Sequence, residues 1–147
     1  MGRIKRFDHV GVTVANIDEA TKFFVGLGLR IDGRADGLEG DFLETVSGVA
    51  DSRTNIVMLK APDSDVGIEL SSFVRPEHGP GQPHAMANEL GLRSLAFEVD
   101  DLEATVAEQA AQGYGLIGGI GEYEGVWKMA YIRGPEGLIV ALAQRLS

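Results

Sequence analysis

Two stretches of the chain repeat each other, and the repeat limits the fold more than any single motif does. Phe7-Asp8-His9-Val10-Gly11-Val12-Thr13-Val14 alternates valines with His9, Gly11 and Thr13, the period of two expected of a half-buried strand. Ser94-Leu95-Ala96-Phe97-Glu98-Val99 has the same alternation. A slide of 85 residues carries His9 onto Ser94, Val14 onto Val99, Asn16 onto Asp101, Ile17 onto Leu102 and Gly28 onto Gly113. The signals that follow each strand repeat as well. Asn16 with Glu19 reads as a helix start, and Asp100 or Asp101 reads as the second one. Gly28 and Gly113 mark the helix ends.

The helices are expected over Ile17–Leu27, with Ala20, Phe23, Phe24 and Leu27 on one side, and over Leu102–Gln112. In the first copy, strands are predicted at Leu29–Arg34, Asn55–Lys60 and Val66–Phe73. A Gly-rich turn is expected at Asp36–Gly40, and Phe42–Val49 is left open between a short helix and an irregular segment. In the second copy, strands are predicted at Gly115–Ile120, Val126–Ile132 and Leu138–Ala143, with Gly134-Pro135-Glu136-Gly137 as a turn. The last strands then pair Glu69 with Ala141. Each copy is a β-α-β-β-β unit too small to bury a good core alone. Module one covers about 1–75, a Pro/Gly-rich linker about 76–90, and module two about 91–147.

Composition narrows the function. The 147 residues are 44% hydrophobic and 24% charged, as in globular proteins, and the formal net charge is −9. That charge argues against nucleic acid as a partner and is compatible with a cationic ligand. No apolar run approaches the roughly 18 residues of a membrane span, so no membrane partner is expected. The basic start, Met1 to Arg6, leads into Asp8 and His9 instead of an apolar stretch, which implies a cytoplasmic protein without a signal peptide. Absence of cysteine excludes disulfides, thiolate metal sites and a cysteine nucleophile. Gly118-Gly119-Ile120-Gly121 lacks phosphate-loop spacing. Ser47 and Ser71 lack the turn of a hydrolase nucleophile.

The stretches Phe7–Val12, Gly67-Ile68-Glu69-Leu70, Gly91–Asp101 and Arg133–Leu142 together resemble the vicinal oxygen chelate superfamily. That group includes glyoxalase I, bleomycin-resistance proteins and extradiol dioxygenases. The resemblance spans nearly the whole chain. It implies an α+β fold in which tandem βαβββ modules form a curled eight-stranded mixed sheet around a cavity, and it implies a homodimer. It also implies a metal held by residues on the first and last strand of each module. His9 and Glu69 match two of those positions; Ser94 and Ala141 occupy the other two. Alanine has no donor atom and a serine hydroxyl is a poor ligand.

His9 and Glu69 are therefore candidates both for a partial metal site and for catalysis by proton transfer. No firmly bound cofactor is expected; a weakly held Mg²⁺, Mn²⁺, Zn²⁺ or Ni²⁺ ion is the alternative, and His78 or His84 are conceivable replacement ligands. Ser94, Tyr123, Trp127 and Tyr131 are candidate ligand-binding residues, with Glu122 and Glu124 adding negative charge beside them. The implied functions are three: a binding protein for a small organic molecule, of the resistance or sequestration type; a glyoxalase-type metal-dependent lyase, isomerase or epimerase acting next to a carbonyl; and a metal-free enzyme using the His9–Glu69 pair.

Overall fold

The structure, a computed structural model, describes residues 2–147. Its chain divides into two compact units, the first ending at Gly81 and the second starting at Gln82. Each unit carries one four-stranded mixed sheet, in the orders β1-β4-β3-β2 and β5-β8-β7-β6.

In the first unit β1 (His9–Thr13) leads into α1 (Ile17–Gly26). The Asn16 side chain caps α1 by accepting from the Glu19 N–H at 3.0 Å, and Gly28 leaves the helix at φ +111. β2 (Arg30–Glu39), the short α2 (Asp41–Ser47), β3 (Arg53–Lys60) and β4 (Gly67–Arg75) complete the unit. α1 packs on β3 and β4, with Ala20, Phe23 and Phe24 buried on the helix and Val57, Leu59, Ile68 and Leu70 on the strands; Val14, just past β1, is buried as well. The Phe23 and Phe24 rings meet edge to face, 5.1 Å apart. Burying each such side chain contributes about 1.5–3 kcal/mol, so this helix-side face is where the unit's stability resides.

The second unit repeats the plan: β5 (Ser94–Glu98), α3 (Leu102–Ala111), β6 (Gly121–Tyr123), β7 (Trp127–Arg133) and β8 (Ile139–Arg145). Asp101 caps α3 by accepting from the Ala104 N–H, as Asn16 caps α1. Leu102, Val106, Ala130, Ile132, Val140 and Leu142 form the helix-side core.

Register reproduces the repeat. β1 runs parallel to β4 with His9 beside Gly67 and Gly11 beside Glu69. β5 runs parallel to β8 with Ser94 beside Ile139 and Ala96 beside Ala141. Glu69 and Ala141 thus hold the same place in their two sheets.

Two expectations fail locally. The turn expected at Asp36–Gly40 is instead part of β2, which continues to Glu39 through a register shift between Ala35 and Leu38. Gly37 absorbs the irregularity at φ +65, and its N–H donates to Asn55 Oδ1 at 2.8 Å. The strand expected at Gly115–Ile120 is reduced to one bridge, Leu116 to Ile132, and pairing resumes at β6. Successive glycines at 118 and 119 supply no side chains to hold a ladder there. The open segment Phe42–Val49 contains the helix α2. Among the described residues, no helix is long and apolar enough to cross a membrane.

Candidate functional site

Side chains alternate across a strand, so the residues that do not face a helix share the other face of their sheet. In the first unit that face carries His9 and Gly11 on β1, Glu69 and Ser71 on β4, and Ile56, Met58 and Lys60 on β3. Met58 lies directly beside Glu69, and Lys60 beside Gly67. His9 and Glu69, paired in the sequence reading, are brought together: His9 Nε2 lies 3.4 Å from Glu69 Oε2. The imidazole is 36% exposed and the carboxylate 28%, so both reach solvent from a half-covered surface.

The other ring nitrogen is also engaged. His9 Nδ1 lies 2.7 Å from Asp8 Oδ2, and Arg6 Nη2 lies 2.7 Å from Asp8 Oδ1. The bond from the His9 ring, followed by the Arg6 charge, holds the Asp8 carboxyl below the ordinary carboxylate range. Asp8 was not singled out from sequence, because neighbours within a strand point to opposite faces. It escapes that rule by standing just before β1 begins.

In the second unit the face turned away from α3 carries Ser94, Ala96, Ala141 and Ala143. It also carries Trp127, Met129 and Tyr131 along β7, with Tyr123 of β6 beside Trp127. Ser94, Tyr123, Trp127 and Tyr131 therefore share one face of one sheet. Tyr131 lies beside Ala141, and Met129 beside Ala143. The row is an aromatic and thioether wall next to a floor of small side chains. Arg145, which sequence reading passed over, stacks its guanidinium 4.5 Å from the Trp127 ring centroid. Only the register, which sets Trp127 opposite Arg145, exposes that contact. Glu122 on β6 and Glu124 in the β6–β7 turn are exposed.

A firmly held catalytic zinc or iron ion needs about three protein donors. His9 and Glu69 supply two. Ala141 is buried and supplies none, and no group of three or more histidine, aspartate or glutamate residues converges among the described residues. His78 and His84 lie exposed in the segment between β4 and β5 and add no such group. The donor set does not fit a three-ligand centre.

The family model of the glyoxalase/bleomycin resistance protein/dioxygenase superfamily matches residues 8–131. The chain belongs to this superfamily. A glyoxalase-family protein from Bacillus cereus is 33% identical, with 99% of this chain and 97% of that one covered at a TM-score of 0.94. Two more distant structures share the fold. One is an antibiotic-binding protein from a Streptomyces species, 17% identical, with 99% of each chain covered and a TM-score of 0.65. The other is the trypanothione-dependent glyoxalase I of Leishmania major, 18% identical, covering 96% of this chain and 87% of that one at a TM-score of 0.66. No curated protein sequence matches the chain. Superfamily membership agrees with the α+β, tandem-module fold; it leaves the ligand and the reaction open, since its members include both binding proteins and enzymes.

Proposed function

We propose that this protein binds a small organic molecule, in the manner of the sequestering members of its superfamily, without depending on a firmly held metal. One observation carries the reading. Where the first sheet sets Glu69 beside Gly11 and Met58, the second sets buried Ala141 beside Ala96 and Tyr131. An ionic position is replaced by an apolar one with the Tyr131 ring beside it, which suits a planar, largely apolar ligand. Taken by itself, the first sheet offers the His9–Glu69 pair to a polar group, and the net charge of −9 favours ligands bearing a positive group.

Trp127 is the single tryptophan, so its fluorescence tests the proposal directly. The full chain, kept in chelator, is screened against planar aromatic amines and metal-free bleomycin. Saturable quenching or shift of the Trp127 emission, weakened tenfold or more by Tyr131→Ala, is the expected result. A panel without any saturable response, or a response indifferent to Tyr131→Ala, removes the reading.

The 3.4 Å approach of His9 to Glu69 favours a second reading, proton transfer next to a carbonyl by that pair without metal. It calls for turnover that survives chelator and is lost in His9→Gln; turnover that chelator abolishes rejects it. A homodimer and a cytoplasmic location belong to the same proposal. Exposed Phe42 and Val46, one turn apart on α2, support self-association, which light scattering measures as a doubled mass.

A further inference from the structure

We infer that Asp8 is a positioning residue: it fixes the imidazole of His9 as the Nδ1–H tautomer, so that bare Nε2 and the Glu69 carboxylate converge as two acceptors on one donor group of the ligand, such as an ammonium. This rests on the binding reading for the ligand only; the tautomer is a property of the ligand-free chain.

An ionised carboxylate has no proton to give, so a contact between His9 Nδ1 and Asp8 requires the nitrogen to donate. A neutral imidazole carries one N–H, and two carboxylates compete for it. Asp8 holds Nδ1 at 2.7 Å, within the range of a charge-assisted hydrogen bond. Glu69 stands at 3.4 Å from Nε2, beyond the usual range. The proton therefore resides on Nδ1, and the lone pair of Nε2 faces the lone pairs of Glu69. Two acceptors left facing each other repel; a donor placed between them satisfies both.

The surroundings favour a cationic donor. Arg6 is occupied with the far oxygen of Asp8 at 2.7 Å. Lys60 stands two strands away from His9, about 9–10 Å across the sheet, and its ammonium is directed to Asp32 at 3.6 Å. No basic group is thus turned to the Nε2–Glu69 gap among these neighbours. The backbone role of Asp8 is separate from its side chain: its carbonyl accepts from the Gly67 N–H at 3.0 Å, and that bond survives side-chain truncation.

The test is long-range ¹H–¹⁵N correlation on the uniformly labelled full chain at a pH where the ring is neutral. His9 is assigned by the signals lost in His9→Gln. Wild type is expected to show Nδ1 protonated and Nε2 bare. Asp8→Asn, whose amide oxygen still accepts, keeps that tautomer; Asp8→Ala shifts the population to Nε2–H, which then donates to Glu69. Circular dichroism confirms that the variants are folded. Nε2–H in wild type, or an unchanged tautomer in Asp8→Ala, overturns the positioning role. For the ligand group, benzylammonium at high millimolar concentration is expected to move the Nε2 resonance of wild type, and benzoate is not; equal responses, including none to either, overturn the donor preference. If the Trp127 screen yields no ligand while the tautomer result holds, the binding reading fails and the role of Asp8 stands.

Discussion

Leu70 and Leu142 provide a quantitative test of the duplicated core. Both are 0% exposed. Leu70 lies on β4 beside Val12 of β1, and Leu142 on β8 beside Phe97 of β5. Truncating either to alanine removes three carbon groups, a transfer loss of about 2–2.5 kcal/mol. Incomplete collapse of the surroundings adds a cavity cost, bringing the total to about 3–4 kcal/mol. With a urea slope of about 2 kcal/mol per molar, the unfolding midpoint should fall by roughly 1.5–2 M. Urea titrations followed by circular dichroism and by Trp127 emission read the change, and the emission reports from β7 of the second unit. Both variants should lose similar amounts, because the register makes their sites equivalent. A loss below about 1 kcal/mol in either would refute the placement of that leucine in a packed core.

Gly137 stands at φ +86, and a Cβ there would overlap the backbone of Pro83. Gly137→Ala should therefore cost about 2–4 kcal/mol and loosen the segment that Arg133 Nη1 holds through the Ala85 carbonyl at 2.6 Å; faster hydrogen exchange of the Ala85 amide checks this. Glu39 accepts from Arg75 and faces Arg53, and those bonds hold its carboxyl below the ordinary range. A depressed folded-state value stabilises above the unfolded carboxylate range and stops doing so as pH falls through the folded value. Glu39→Gln should thus be less stable than wild type at neutral pH, with the gap closing on acidification; urea midpoints across pH read it, and a gap that widens in acid would contradict the ion pairing.

The alternating valines, the two cap residues and the glycines at helix ends each carry a local physical signal, and the repeat doubled every one of them. That is why the module plan and the correspondence of Glu69 with Ala141 were legible. The course of β2 was not, because Asp36 and Gly37 form a bulge, and a bulge has the composition of a turn. Gly115–Ile120 has apolar residues in alternation but too few side chains to sustain pairing. In the candidate site, His9 and Glu69 stood out because their chemistry is unusual on an apolar strand face. Asp8 and Arg145 did not: each acts through a neighbour, His9 or Trp127, that only the folded geometry supplies.

The central claim is that His9 and Glu69 form a two-acceptor pair for an organic ligand and not part of a tightly bound metal centre. The most direct measurement is competition of the full chain with a chromogenic chelator for Zn²⁺. Two donors open to solvent should hold the ion no better than micromolar, and His9→Ala should remove what binding there is. One equivalent of Zn²⁺ held at nanomolar affinity would contradict the claim.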